Sequence, residues 1–166
     1  MGYYLEDILT GERLPATISR LSRKEIMLIH KSSRFHFKWN KEVEFEVYGL
    51  RIDSSGEIIG VVSIECNRDE FAIKVRLIAN AKEHTGVGKR LDRIAGSLLA
   101  FVCQTSFDLG FEGFVYLVPK TQLVKVYRDK YGFRNTGTSM FSNADNSKTI
   151  IQNYHESSDQ EGIEGY

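Results

Sequence analysis

The sequence has few cysteines and no net charge, and both features narrow the classes of protein it can encode. Its 166 residues include only two cysteines, Cys66 and Cys103, which lie far apart without metal-ligand spacing. We therefore expect no disulfide framework and a reducing, cytoplasmic environment. Lysine plus arginine equals aspartate plus glutamate at 22 each, so no net field favours nucleic acid or an anionic membrane.

Signals for membranes and metals are also missing. No apolar run approaches the ~20 residues of a membrane span, and the N-terminus lacks a positive-then-apolar signal. A myristoylation site needs serine or threonine at position 6, where this chain has Glu6. Because the four histidines are scattered without ligand spacing, we predict no metal site.

What remains is the ordinary composition of a globular domain, with 42% hydrophobic and 27% charged residues. A chain of this size can bury roughly 70% of its unfolded surface. We predict one domain over residues 1–154. Residues 155–166 form an acidic tail with little to bury, and we expect that tail to be disordered. Cys103, set among apolar residues, is expected to be an inert core thiol.

Hydrophobic periodicity predicts a helix and then three strands in the first half of the chain. Residues 1–20 are ambiguous. Ser22, with Glu25 three residues later, is the capping-box signature of a helix over residues 22–31. The aromatic segment 34–41 fits either a strand or a second helix. Alternating apolar residues then predict an antiparallel meander of strands over 43–52, 57–66 and 71–79.

The second half of the chain reads as helix, strand, helix and two final strands. Residues 94–107 carry an apolar face and are followed by the helix-ending Gly110. Residues 114–118 form a short, wholly apolar run, which is typical of a central strand. A further helix runs from an N-cap at Thr121 to a stop at Gly132. The final strands are predicted over 138–142 and 149–154, joined by a turn at 143–146.

This order of elements resembles the GNAT superfamily of acyl-CoA N-acyltransferases, and Tyr127 stands five residues before Gly132 as in some small GNAT-like proteins. The resemblance covers about residues 17–154. It implies a mixed α+β fold with a central, mostly antiparallel sheet flanked by helices. It also implies transfer of an acetyl group from acetyl-CoA, the co-substrate, to an amine. The alternative is a non-catalytic module of this fold that binds CoA or regulates another protein.

In the family, the pyrophosphate of acetyl-CoA sits on backbone amides where the long helix begins, and the positive end of the helix favours the anion. The stretch 86–88 is one candidate for this loop, but it puts Glu83 at the usual arginine position and needs 22 residues of helix before Gly110. The stretch 90–95 begins with arginine and ends with alanine. It leaves 15 residues of helix, about 22 Å at ~1.5 Å per residue. We favour it, which makes the predicted cofactor-binding residues Arg90, Leu91, Asp92, Arg93, Ile94, Ala95 and Gly96.

Arg93 stands where the family usually has glycine, so weak or lost cofactor binding is the alternative for this loop. The resemblance makes Tyr127 the candidate general acid, because a phenol with a pKa near 10 stays protonated at neutral pH and can protonate the CoA thiolate. Core packing is the alternative, since Tyr127 shares an apolar stripe with Tyr131. The resemblance adds to the cofactor-binding set the backbone of Leu77, Ile78 and Ala79, together with Thr121 and Arg128.

The general base and the acceptor are less clear from the sequence. Glu65 is our candidate base, acting through water, with Glu44 and Glu46 as alternatives. The aromatic residues Phe35, Phe37 and Trp39 either line the acceptor groove or pack in the core. A third option is a toxin that acts on charged tRNA. The net charge of zero makes this option weaker. No motif identifies the acceptor, and a homodimer is compatible with the sequence.

Overall fold

A single sheet of nine strands organises the structure, a computed structural model that describes residues 2–155. In chain order the strands are β1 (Gly2–Asp7), β2 (Arg13–Arg20), β3 (Glu46–Ile52), β4 (Ile58–Asn67), β5 (Ala72–Asn80), β6 (Leu91–Asp92), β7 (Val115–Leu117), β8 (Arg134–Thr136) and β9 (Ser139–Ser142). Their spatial order is β6-β1-β2-β3-β4-β5-β7-β9-β8. Neighbouring strands are antiparallel except β5 and β7, which are parallel.

Within residues 2–155, four α-helices accompany the sheet: α1 (Arg23–Ser32), α2 (Ile94–Asp108), α3 (Val124–Tyr131) and α4 (Ala144–Tyr154). The capping box predicted for the first helix is confirmed, because the Ser22 side chain accepts from the Glu25 amide and the Glu25 side chain accepts from the Ser22 amide. The predicted extent of the long helix is also confirmed, with its last turn followed by Gly110 at φ +81°. Among the helices between residues 2 and 155, none is long and apolar enough to cross a bilayer.

The sheet carries a hydrophobic core on each face. Successive strand residues point to opposite faces, and the neighbours Val61 and Val62 of β4 belong to different cores. The larger core lies under α2 and α3 and includes Leu98, Tyr127 and Phe133. The smaller core lies under α1 and contains Trp39. Cys103 is fully buried in the larger core, and burial raises the pKa of its thiol to about 12, as expected for an inert core thiol.

Three sequence predictions need correction. Residues 1–20, left ambiguous, form the hairpin β1–β2, so the antiparallel meander has five strands instead of three. Residues 149–154 belong to the helix α4 and not to a strand, because the Asn143 side chain caps the helix by accepting from the Asn146 amide at 3.0 Å. Thr121 does not cap α3: it begins a short 3-10 turn, and α3 starts at Val124.

One residue of the predicted tail is described. His155, assigned to the predicted tail, follows α4 and forms an isolated bridge with Tyr3 of β1. Their rings lie edge to face with centroids 5.3 Å apart. The predicted disorder of the remaining tail concerns residues 156–166, which lie outside the described residues.

Candidate active site

The parallel strands β5 and β7 separate soon after they meet. They pair at three positions, the last joining Val75 to Leu117. There β7 ends, whereas β5 continues to Asn80. Residues 77–79 pair with β4 on one side only, so every second N–H and C=O of this stretch faces the gap between β5 and β7. The gap therefore offers unpaired backbone groups in the middle of the sheet.

A β-bulge marks the same point of β5. Ser63 of β4 pairs with Leu77, whereas Ile64 pairs with Val75, so Arg76 is the extra residue on β5. A bulge increases the local twist and turns neighbouring groups in a new direction. The bulge thus bends β5 away from β7 at the residue where their pairing stops.

Three cavities surround the gap. The large cavity, of about 460 Å³, reaches from Ile78 and Ala79 of β5 to Ala95 of α2 and to Tyr127 and Tyr131 of α3. The gap cavity, of about 130 Å³, shares Ile78 and Tyr127 with the large cavity. It extends to Leu117, where β7 ends, and to Val75, the last residue of β5 that pairs with β7. The charged cavity, of about 210 Å³, is lined by Glu42, Lys74, Val75, Arg76, Leu77 and Val118.

Tyr127 lines both the large cavity and the gap cavity. Its ring is 9% exposed and packs near the rings of Tyr131 and Phe133, with centroids 6.2 and 5.7 Å away. Burial raises the pKa of Tyr127 to about 12, and no group among residues 2–155 hydrogen-bonds its hydroxyl. The ring is therefore part of the core, while a protonated phenol remains without a partner at the cavity wall.

The first turn of α2 faces the large cavity, since Ala95 lines it. The helix begins at Ile94, preceded by Arg93 in the left-handed region at φ +80°. Amides of a first helical turn lack intrahelical partners and attract anions. Gly88 lies six residues earlier in an exposed loop. The helix start thus agrees with the favoured register, and the binding of pyrophosphate there stays a prediction.

The charged side chains of this loop bind other parts of the protein. Arg90 Nε donates to Asp7 Oδ2 at 3.0 Å. Arg93 Nε donates to the Tyr4 carbonyl at 3.1 Å, and its guanidinium also donates to the carbonyls of Asn153 and Tyr154. Residues 91–92 form β6, which pairs with β1. These arginines therefore tie the start of α2 to β1 and to the end of α4.

Gly96 has a packing role that the sequence did not reveal. A Cβ at this position would lie 2.1 Å from Cε1 of Tyr154, so only glycine allows α4 to approach the start of α2 this closely. The Tyr154 ring also lies 6.2 Å from the ring of Tyr131 on α3. The end of α4 thus bridges the two helices that border the large cavity.

Several predicted site residues lie away from the three cavities. Thr121 and Arg128 are exposed, and Arg128 Nε lies 3.2 Å from the carboxylate of Asp129. Glu65 is half-buried opposite Lys74 and lines none of the three cavities. The structure therefore brings together residues 77–79, Ala95 and Tyr127, but not Thr121, Arg128 or Glu65.

Glu42 is the buried carboxylate beside the gap, and the sequence analysis missed it. It is 4% exposed and accepts from Ser63 Oγ at 2.8 Å and from Arg76 Nε at 2.9 Å. The sequence shows Glu42 as one of three alternating glutamates, a pattern typical of a solvated strand face. The structure instead ends a 3-10 turn, Trp39–Glu42, at this residue. No pattern in the sequence distinguishes it from the other two glutamates.

The three aromatic residues before Glu42 differ in burial, and a role in an acceptor groove stays a prediction. Phe35 and Trp39 are buried in the smaller core. Phe37 is 39% exposed, adopts φ +81°, and lines the large and gap cavities. Lys120 Nζ lies 4.6 Å from the centre of its ring. A bulky residue at positive φ stores strain, which is more frequent at functional sites.

Solved acetyltransferase structures share this fold. The chain is similar to an IAA acetyltransferase from Bacillus cereus ATCC 14579, with 19% identity over 74% of this chain and 79% of that one at a TM-score of 0.52. It is similar to the spermidine/spermine N-acetyltransferase SpeG from Vibrio cholerae in complex with manganese ions, with 19% identity over 82% of this chain and 96% of that one at a TM-score of 0.58. It is also similar to AtaT complexed with acetyl-methionyl-tRNAfMet, with 8% identity over 82% of this chain and 99% of that one at a TM-score of 0.54.

No family model and no curated protein matches the sequence. At the identities of the structural matches, the likeness establishes the fold, and the predicted mixed α+β GNAT fold is confirmed. One of these structures contains manganese. Across residues 2–155 of this chain, no group of three or more His, Cys, Asp or Glu side chains is arranged to hold a metal ion.

Proposed function

We propose that the protein transfers an acetyl group from acetyl-CoA to an amine. The observation that supports this most directly is the pair of cavities that share Ile78 and Tyr127 and extend from the first turn of α2 to the gap between β5 and β7. The large cavity, at about 460 Å³, falls within the roughly 300–1,000 Å³ of small-molecule sites. An extended cofactor has room along β5.

Each part of this path suits one part of the cofactor. The unpaired amides of α2's first turn would meet the pyrophosphate, as oriented N–H dipoles favour an anion. The unpaired backbone groups of residues 77–79 would hold the pantetheine arm by hydrogen bonds. An N–H of this stretch would also stabilise the negative charge that develops on the acetyl oxygen.

Tyr127 supplies the proton that the reaction needs. The amine nitrogen attacks the thioester carbon, the C–N bond forms and the C–S bond breaks. The Tyr127 hydroxyl donates its proton to the departing thiolate, and the amine loses a proton to solvent or to a base. The pKa of Tyr127, about 12, keeps the phenol protonated throughout the physiological range.

A second candidate function is a CoA-binding module without turnover. It is favoured by the start of α2, where Arg90 and Arg93 bind protein groups and Tyr154 covers Gly96. We further propose that the protein works in the cytoplasm, which is supported by two free cysteines in the structure. The structural neighbours named for spermidine and for a charged tRNA leave the acceptor of this chain open.

Binding of acetyl-CoA is tested by the melting temperature. A ligand at 100 times its dissociation constant adds about 2.7 kcal/mol, and a domain of this size gains roughly 2–4 °C per kcal/mol. We therefore expect a rise of several degrees. Ala95→Trp should fill the large cavity and remove the rise, whereas Gln152→Trp on the exposed face of α4 should keep it. No rise at millimolar acetyl-CoA would contradict both candidate functions.

Turnover separates the two candidates. Release of free CoA thiol in the presence of an amine, at a rate above hydrolysis alone, identifies an acetyltransferase. A protein that is stabilised by acetyl-CoA but releases no thiol with any amine of a broad panel is the non-catalytic module.

A further inference from the structure

The charged cavity lies on the opposite side of β5 from the first turn of α2. Leu77, which lines it, packs with the smaller core under α1, and Glu42 ends the turn that begins at Trp39 of that core. Val75 of the larger core also contributes to its lining, where the cavity adjoins the gap. If the cofactor enters along the large cavity, as the proposed function requires, its acetyl group meets the gap from the α2 side. The acceptor must then approach from the charged cavity, and the lining of that cavity decides which amines fit.

One cation of this cavity is already neutralised. Arg76 Nε donates to Glu42 Oε1 at 2.9 Å, and the Arg76 guanidinium stacks over Phe45, 3.6 Å from the ring centre. Ser63 Oγ donates to the same Glu42 oxygen at 2.8 Å. Glu42 Oε2 has a single longer contact, to Arg76 Nη2 at 3.5 Å. The pair is therefore fixed in place, and one carboxylate oxygen keeps capacity to accept a further hydrogen bond.

Two other cations near the gap have no carboxylate partner within residues 2–155. Lys74 lines the charged cavity and is half-buried, yet no acidic group of the described chain lies within 4.0 Å of its ammonium. Glu65 is its cross-strand neighbour on β4 but forms no ion pair with it. Lys120, at the wall of the gap cavity, rests against the ring of Phe37. After the Glu42–Arg76 pair is set aside, Lys74 is the remaining charged residue in the lining of the charged cavity.

We propose that the acceptor is a small amine that carries a carboxylate or phosphate a few bonds from its nitrogen. Lys74 binds the anionic group, and Glu42 Oε2 accepts a hydrogen bond from the amine and directs it toward the gap. A volume of about 210 Å³ suits a molecule of the size of an amino acid. Polycationic amines are disfavoured, because the ammonium of Lys74 would repel their extra charges.

The proposal is tested with pairs of acceptors that differ only in the anionic group. Thiol release is measured at saturating acetyl-CoA for each standard amino acid against its amide, for β-alanine against β-alaninamide, and for phosphoethanolamine against ethanolamine, with spermidine as the polycation. In the preferred pair we expect kcat/KM to be at least about tenfold higher for the anionic member, as for one charge-assisted hydrogen bond.

Lys74→Met keeps most of the side-chain stem and removes the charge. We expect it to raise KM for the anionic acceptor about tenfold with little change in kcat, and to leave the amide unaffected. Lys74→Arg should restore part of the affinity. Lys148→Met, on the exposed face of α4, is the matched control. The acetyl-CoA melting shift should be the same in all four proteins.

Two results would overturn the proposal: thiol release no faster with anionic acceptors than with their partners or spermidine, or a Lys74→Met variant no weaker than Lys148→Met. Absence of an acetyl-CoA melting shift in the wild-type protein is a different result. It would contradict the proposed function itself.

Discussion

The start of α2 and the gap between β5 and β7 differ in whether their polar side chains have partners within the protein. At the start of α2, Arg90 and Arg93 bind Asp7 and backbone carbonyls. At the gap, the hydroxyl of Tyr127 and the ammonium of Lys74 have no hydrogen-bond or ion-pair partner within residues 2–155. An anion at the helix would therefore meet backbone amides, whereas a reacting molecule at the gap would meet free side chains. Within residues 2–155, the unpartnered polar side chains of the candidate site therefore lie at the gap, whereas the arginines of the loop are bound to the protein.

Replacing Tyr127 by Phe tests the gap and should have the largest effect. General acid catalysis contributes about 10²–10⁴-fold, so we expect kcat for thiol release to fall at least about 100-fold. The free energy of unfolding in urea should change by less than ~1 kcal/mol, because no partner is left unsatisfied. Tyr116→Phe is the control, since the Tyr116 hydroxyl donates to Glu70 at 3.0 Å outside the three cavities. An unchanged rate would leave Tyr127 with a packing role alone.

Replacing Arg93 by Ala tests the loop and should act on stability. The variant loses charge-assisted bonds to carbonyls of β1 and α4 and the stacking of Arg93 on Tyr4, whose ring centre lies 3.8 Å away. We expect a loss of about 2–3 kcal/mol in urea unfolding. Arg128→Ala, which breaks an exposed pair, should cost less than ~1 kcal/mol. If Arg93→Ala instead weakened acetyl-CoA binding with stability intact, this loop would hold phosphate by a side chain.

Replacing Arg90 by Ala should have the smallest effect, and the size of that effect depends on pH. Burial alone would raise the pKa of Asp7, but hydrogen bonds from the Thr10 amide and Arg90 hold that pKa below its ordinary value. A lowered pKa stabilises the fold above the ordinary carboxyl range and is lost as pH falls through the folded value. The variant should therefore melt slightly below wild type at pH 7, and the difference should shrink as Asp7 protonates in both proteins. A difference that grew in acid would contradict this role for Arg90.

Local signals explain which parts of the fold could be predicted. The capping box at Ser22 and the glycine stops after α2 and α3 lie within a few residues of the elements they define. The hairpin β1–β2 depends instead on pairing with β3 and β6, and Gly11 and Pro15 within it look like breakers. The helix α4 was misread although Asn143 is a good N-cap, because the polar residues 143–146 were interpreted as a turn between two strands.

The candidate site was predictable where it depends on the backbone. The family resemblance was enough to place residues 77–79 at the gap, since any residue type can offer an amide there. It could not show that Glu42 turns inward, because that depends on Arg76 and Ser63 arriving from two other strands. Nor could it show that Arg93 is bound by the end of α4, some 60 residues further along the chain.

Trp39 lies close to two residues that line the cavities, so its fluorescence can report binding there. It is the one tryptophan of the sequence, it is fully buried, and its indole Nε1 donates to the His36 carbonyl at 2.7 Å. Phe37 at the cavity wall stands two residues before it, and Glu42 ends the same turn. A molecule that displaces Phe37 or contacts Glu42 therefore changes the surroundings of the one tryptophan. The unlabelled protein carries its own spectroscopic reporter of binding at these cavities, independent of turnover.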